Sequence, residues 1–144
     1  MFSTYDFSEF ETQSIVSVKL NSSINDVSFL DFINKWLSIY EYKKNFSFIF
    51  DCSDVGLVPL KYCFKMTAFI KKIKQQQHQY LQKSIIYVNK KSVKRLLDFV
   101  FTIQPPVAPV YIIDNKDFIK EILENKINEQ VIIILPGKSF LNIF

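Results

Sequence analysis

The chain has 144 residues, of which 49% are hydrophobic, and it carries a formal net charge of +4. This length suits one domain, residues 1–144, and the hydrophobic share excludes an intrinsically disordered chain. Two glycines and two cysteines are too few for a glycine-rich phosphate loop or a cysteine-based metal motif, so Cys52 and Cys63 are expected to be buried free thiols.

The N-terminal segment argues against export. It begins with acidic and aromatic residues, MFSTYDFSEFE, rather than with basic residues followed by an apolar stretch, so no secretory signal is expected. The longest apolar runs have four to six residues, whereas a membrane-spanning helix needs ~20. We therefore expect a cytoplasmic protein.

The period of the apolar residues switches repeatedly along the first third of the chain, which predicts alternating strands and helices. Residues 2–10 are expected to hold a short strand, and residues 14–20 alternate as a half-exposed strand does. A helix then begins at Asn25 or Ser28 and runs to about Lys43. The apolar side chains of this helix form a broad stripe of Leu30, Ile33, Leu37 and Tyr40, widened by Phe29, Phe32 and Trp36.

The same alternation continues to the C-terminus. Further strands are predicted at residues 46–50, 84–88, 110–113 and 131–135. Helices are predicted at about residues 60–79, after Asn89 as far as Pro105, and at residues 117–125. Core stripes are expected at Cys63, Met66, Thr67, Ile70 and Ile73, and at Val93, Leu96, Leu97, Val100 and Ile103. Because strands that alternate with helices run parallel to their neighbours, the predicted fold class is α/β, with an open, mixed but mainly parallel sheet flanked by helices and an extra C-terminal strand.

Three consecutive units share one scheme, in which a strand ends on a polar residue and a helix follows. Their sequences are FSFIFDCSDVGLVPLKYCFKMTAFIKKIK, QKSIIYVNKKSVKRLLDF and APVYIIDNKDFIKEIL, with Asp51, Asn89 and Asp114 at the strand ends. In this succession the chain resembles the STAS superfamily, and within it the STAS-like proteins that grade into CRAL-TRIO lipid-binding domains. The resemblance covers about residues 14–125, which leaves residues 126–144 as a C-terminal extension, and it implies a STAS-like domain.

The chain also departs from that pattern. Phosphorylated STAS switches carry Asp-Ser-Ser at the start of the helix after the third strand, where this chain has Pro59, Leu60 and Lys61. Ser53 falls too early in the loop to replace that serine, so a phosphorylation switch is not expected. CRAL-TRIO proteins use an extra gating helix to enclose a lipid, and 144 residues leave little room for one.

Candidate catalytic groups are sparse. Asp51, Asp54 and Asp114 should gather at the carboxyl ends of parallel strands, where they would either hold a divalent cation or cap the following helices. His78 lies in a glutamine-rich helix end, without a cysteine, serine or acid that would complete a triad. No nucleophile, base and oxyanion set can be assembled, so we expect no enzymatic activity, no cofactor and no metal.

Charge is distributed unevenly along the chain. Residues 55–97 contain ten basic residues and no aspartate or glutamate. Such a segment suits an anionic partner, although a solvated lysine-rich surface enriched by AT-rich codons explains the same pattern. Nucleic acid is disfavoured, because a single arginine allows few bidentate contacts. The candidate binding residues are Lys61, Lys65, Lys72, Lys90, Lys91, Lys94 and Arg95.

The C-terminal extension carries a candidate self-association surface. The apolar run at residues 131–134 reads as a strand covered on both faces, and the aromatic tail behind it must also be buried. Either the tail folds back over its own sheet or it docks on a second copy in a symmetric dimer, which we favour slightly. The residues concerned are Val131, Ile133, Phe140 and Phe144.

Two functions follow as expectations. The first is a non-enzymatic, STAS-like module for protein–protein interaction or scaffolding, whose partner is another protein or a second copy of the chain. The alternative is a peripheral protein of CRAL-TRIO character that binds phospholipid or another anionic ligand; a small-molecule enzyme comes third. An apolar cavity would favour the alternative, and a flat apolar patch at a dimer contact would favour the first.

Overall fold

The computed structural model describes residues 1–126 and 128–137. Its strands are β1 (Ser3–Asp6), β2 (Ile15–Leu20), β3 (Phe46–Asp51), β4 (Leu81–Tyr87), β5 (Val110–Ile113) and β6 (Ile132–Ile134). Its helices are α1 (Phe10–Gln13), α2 (Asp26–Ile39), α3 (Leu60–Ile73), α4 (Lys91–Ile103) and α5 (Phe118–Leu123), and a 3-10 turn at Tyr40–Tyr42 extends α2.

The six strands form one sheet whose spatial order is the order of the chain, β1 to β6. The four central strands β2 to β5 are parallel, whereas β1 and β6 pair antiparallel at the two edges. The predicted α/β class, with an open mixed sheet that is parallel in the middle and an added C-terminal strand, is confirmed.

Helices α2, α3 and α4 share one face of the sheet and bury an aromatic core. When neighbouring parallel strands follow each other in the chain, right-handed connections place every connecting helix on the same face. Trp36 of α2 lies at the centre, with ring centroids 4.7 Å from Phe48 and 5.7 Å from Phe50 of β3 and 5.2 Å from Phe69 of α3. Such edge-on and tilted contacts pack these rings densely.

The opposite face of the sheet is only half covered. Helix α5 packs Phe118 and Ile122 against Ile85 of β4 and Ile113 of β5. Over β2 and β3 this face instead presents polar residues such as Ser17 and Lys19, as the alternation in residues 14–20 predicts. The fold therefore has three layers where α5 covers the sheet and two layers elsewhere.

Several local predictions need correction. In α2 the buried side chains are Phe29, Phe32, Trp36 and Ile39, whereas Leu30 is exposed. The buried stripe therefore lies one position before the predicted stripe of Leu30, Ile33, Leu37 and Tyr40, because the core centres on Trp36. Helix α3 ends at Ile73, before Gln79, and α4 takes its N-cap from Lys90 without a side-chain bond rather than from Asn89. The capping of α2 is confirmed, since Asn25 and Ser28 bond reciprocally at 2.8 and 2.9 Å.

Along the described part of the chain, no helix is both long and apolar enough to cross a bilayer.

Replacing Phe48 with alanine should lower the free energy of unfolding by about 3–5 kcal/mol, because the ring is fully buried on the central strand β3. Phe64→Ala is the matched control, and because its ring is exposed we expect a loss of about 1 kcal/mol or less. Urea denaturation measures both. Equal losses in the two variants would contradict the central position of β3.

Candidate apolar cavity and basic helix face

An apolar cavity of about 160 Å³, partly open to solvent, lies between the sheet and the three helices that cover it. Its wall includes Trp36 of α2, Cys63 and Ile70 of α3, and Leu97 of α4, with Phe50 and Val110 on the sheet side. No charged side chain of the described residues lines it. The volume is close to the ~150 Å³ of an engineered apolar cavity that stays dry and binds benzene, so this cavity can accept a small apolar group.

The cavity exists because short side chains occupy inward positions where the aromatic core would require long ones. Ser84 of β4 points to the helix-covered face between Phe48 of β3 and Val110 of β5. Ala108, just before β5, and Cys63 of α3 leave further room. Close-packed interiors leave few voids larger than a water molecule, so a gap of this size is a distinct feature of the fold.

Both cysteines line this cavity and are buried free thiols, as predicted. Burial raises the pKa of the Cys52 thiol to about 12, with a further contribution from the nearby Asp51 carboxylate. Burial also raises the pKa of Cys63. Because the thiolate is the reactive form, both side chains act at neutral pH as small apolar wall groups.

The seam between α3 and α4 lies over one side of the cavity. On its inner side Cys63, Ile70 and Val100 form a buried cluster. On its outer side Phe64 of α3 and Phe99 of α4 meet edge to face at 5.8 Å, although they are 51% and 37% exposed. The seam is therefore closed by an aromatic pair that is itself open to solvent.

Two of the predicted basic residues are paired with an acid. Lys61 and Lys65 of α3 lie 3.2 and 3.4 Å from Asp26 Oδ1 at the start of α2. Tyr62 Oη donates a hydrogen bond of 2.9 Å to the same oxygen. The bond from Tyr62, followed by those from the two lysines, lowers the pKa of Asp26 to about 2, so the pairing persists at physiological pH.

Of the remaining predicted basic residues, Lys90 is hydrogen-bonded and the other four are exposed without an ion-pair partner among the described residues. Lys90 Nζ donates a 3.0 Å hydrogen bond to the carbonyl oxygen of Val55. Lys72 of α3 and Lys91, Lys94 and Arg95 of α4 are exposed, and none of them has an ion-pair partner within residues 1–126 and 128–137. We call the outer surface of α3 and α4, with these four cations and the Phe64–Phe99 pair, the basic helix face.

Two of the three aspartates predicted to meet at the strand ends, Asp51 and Asp54, are paired with lysines. Lys19 lies 3.4 Å from Asp51 and 3.2 Å from Asp54, and Lys116 lies 3.2 Å from Asp51. Partial burial opposes ionisation of Asp51, but hydrogen bonds from Ser53 and Lys116 outweigh it and hold its pKa well below the usual range. Asp114 is exposed outside this network.

The capping role predicted for these aspartates is wrong, because the N-cap residues of α3 and α5 are Pro59 and Asp117, and neither makes a side-chain cap hydrogen bond. Over the described residues, no cluster of three histidine, cysteine or acidic side chains could hold a metal ion. His78 is exposed and its ring centroid lies 4.4 Å from that of Tyr80.

Of the four predicted self-association residues, the structure describes Val131 and Ile133. Strand β6 pairs with β5 of its own sheet, Val131 is buried against the α5 cluster and Ile133 is half-buried beside it. The expectation that this strand is covered on both faces is wrong, since Ile132 is exposed. Phe140 and Phe144 lie outside the described residues.

Ser84, Phe64 and Phe99 are candidate functional residues that were not predicted from the sequence. A serine at an inward position of an otherwise apolar strand was the available sign for Ser84. For Phe64 and Phe99 the available sign was an aromatic residue outside the core stripe of its helix, next to a charged residue, Lys65 or Asp98.

Comparison with known proteins found no match, either to a protein-family model or to a curated protein or solved structure.

Toluene should bind in the cavity and raise the melting temperature in proportion to its occupancy. Ala108→Leu places three further carbons inside the wall and should weaken toluene binding at least tenfold, since the space is filled. Ala68→Leu adds the same atoms on the exposed surface of α3 and should bind as the wild type does. Thermal melting over a toluene series checks this, and no shift in the wild type would contradict a usable cavity.

Proposed function

We propose that this protein is a non-enzymatic, peripheral binding protein that rests its basic helix face on an anionic phospholipid surface and accepts an apolar group in its cavity. The observation that carries the proposal is the position of the cavity, which lies directly beneath the seam of the two helices that carry the free cations. Of the two functions expected from the sequence, the presence of an apolar cavity favours the alternative, phospholipid binding.

The composition of the basic helix face supports a membrane surface as partner. Surface-bound helices combine lysine or arginine with exposed phenylalanine and leucine, because the cations attract anionic headgroups while the apolar side chains enter the interface. Phe64 and Phe99 lie on α3 and α4, and Leu57 and Leu60 in and after the preceding loop are 93% and 57% exposed. Large apolar side chains held in water are best explained by a partner that covers them.

The position of the cations supports the same partner. Lys91, Lys94 and Arg95 lie in the first turns of α4, where the partial positive charge of the helix N-terminus makes cations unfavourable. A phosphate group offers these side chains and that helix end the opposite charge. An anionic headgroup would therefore relieve a repulsion that the unbound protein contains.

The volume of the cavity limits what it can hold. At about 160 Å³ it matches a benzene-sized molecule and is far smaller than a complete phospholipid. The proposed ligand is accordingly one short apolar group, such as the end of a lipid chain, and not an enclosed lipid as CRAL-TRIO character would imply.

Neutralising two cations of α4, in the double variant Lys91→Gln and Arg95→Gln, should weaken binding to phosphatidylserine-containing vesicles about 30-fold, at about 1 kcal/mol per charge. Vesicle co-sedimentation measures the change. The matched control neutralises the exposed Lys43 and Lys120, which lie outside the basic helix face, and should bind within about threefold of the wild type. Equal losses in both double variants would indicate a response to net charge alone.

A third variant tests the opposite direction. Asp26→Asn removes the partner of Lys61 and Lys65 and should strengthen vesicle binding. Vesicles of phosphatidylcholine alone should bind none of these proteins strongly, and strong binding to them would contradict the role of charge.

Protein–protein interaction, the STAS-like function, remains a second proposal, supported by strand β6. Among the described residues β6 is an edge strand of the sheet, and Ile132 and Leu135 in and after it are 39% and 66% exposed. Open, apolar sheet edges accept a strand from a partner or from a second copy of the chain.

If the edge of β6 joins two copies, light scattering at tens of micromolar should report a dimer, and Ile132→Lys should convert it to a monomer because edge lysines oppose strand pairing. Lys126→Glu is an exposed control near the same edge and should remain dimeric. A monomeric wild type would remove the homodimer.

A further inference from the structure

One hydroxyl faces the cavity without a partner. Ser84 lies in the middle of β4, its side chain is on the helix-covered face, and the residue is 4% exposed. It contributes to the cavity wall. Its backbone N–H bonds to the carbonyl oxygen of Pro109 at 2.9 Å, but its Oγ makes no hydrogen bond to any residue that the structure describes.

Two other hydroxyls on this face, those of Thr67 and Tyr62, have partners. Thr67 Oγ1 donates to the carbonyl oxygen of Phe64 at 2.8 Å, and Tyr62 Oη donates to Asp26. Leaving a buried hydroxyl unpaired is unfavourable, and alanine at the same position would fill nearly the same space without that penalty. The Ser84 hydroxyl instead faces the cavity, where a ligand could supply its hydrogen-bond partner.

A trapped water is a poor substitute for a ligand here. An ordered internal water needs two to four polar partners, whereas the side chains around Ser84 are apolar, among them Phe50, Ile86 and Val110. The hydroxyl can both donate and accept, so it can pair with a single oxygen atom of a molecule that fills the apolar space around it.

We propose that Ser84 Oγ hydrogen-bonds the ligand in this cavity, and that the ligand is a neutral amphiphile whose apolar group carries one hydroxyl or carbonyl oxygen. This inference rests on the proposed function, because it assigns chemistry to the group that enters the cavity. A carboxylate is excluded at this depth, since no cation among the described residues lines the wall and an unpaired buried charge is strongly unfavourable. Alcohols, phenols, ketones and esters fit, whereas ionised fatty acids do not.

Phenol and toluene have nearly the same shape and differ by one hydroxyl, so together they isolate the proposed bond. In the wild type phenol recovers through Ser84 the hydrogen bonding it loses on leaving water, and in Ser84→Ala it does not. The ratio of phenol affinity to toluene affinity should therefore fall about tenfold in Ser84→Ala. Toluene affinity itself should stay within about twofold.

Ser3→Ala supplies the matched control. The Ser3 hydroxyl is fully buried and without a partner in the described part of the chain, but Ser3, on β1, is not one of the residues that line the cavity. Both alanine variants should melt about 2–4 °C higher than the wild type, because each loses an unpaired buried hydroxyl. Only Ser84→Ala should change the discrimination between the two probes.

Sealed-cell thermal melting with each probe over a concentration series gives the affinities. A tenfold fall in the phenol-to-toluene ratio that is confined to Ser84→Ala supports the inference. An unchanged ratio overturns it while leaving the cavity as a site for apolar groups. If neither probe binds the wild type, the apolar-ligand part of the proposed function fails, and this inference fails with it.

Discussion

Sequential strand order is the constraint on which the rest of this molecule depends. Each parallel strand from β2 to β5 lies beside the next one in the chain, and right-handed connections then direct α2, α3 and α4 to the same face. One face is buried beneath three helices, and the other has only α5 over one half. The cavity, the α3–α4 seam and the basic helix face all belong to this one-sided arrangement.

The helix-covered face of the sheet is packed more densely around β3 than around β4 and β5, and the cavity lies in the less dense region. Around β3 the rings of Phe46, Phe48 and Phe50 meet Trp36 closely, so this region resembles an ordinary dense core. Toward β4 and β5 the inward positions hold Ser84 and Ala108, while α3 and α4 keep the spacing that helix packing requires. Helices cannot sink into a sheet locally, so small side chains beneath them leave space.

On the outer surface of the same helices, tertiary contacts pair some of the basic residues that the sequence shows and leave others unpaired. Ten basic residues and no acid within residues 55–97 suggest one large cationic surface, but Asp26 neutralises Lys61 and Lys65, and Lys90 bonds to a backbone carbonyl. The cations left free are concentrated at the start of α4, beside exposed aromatic side chains. This narrower surface, next to an apolar cavity, is the reason why we propose a membrane surface rather than any other anion as the partner.

The sequence by itself determined the succession of elements, the α/β class and most of the core, because hydrophobic period and capping are local: Asn25 with Ser28, and Cys63 with Ile70, can be read within a few turns. It also indicated that Asp51 and Asp54 follow a buried strand, but not that Lys19 and Lys116, far apart in the chain, would neutralise them. Only the tertiary structure decided that Ser84 faces a void and that Asp26 meets Lys65 across 39 positions of the chain. Such contacts depend on how distant elements cross and on the volume left between them, and no local pattern of residues encodes either.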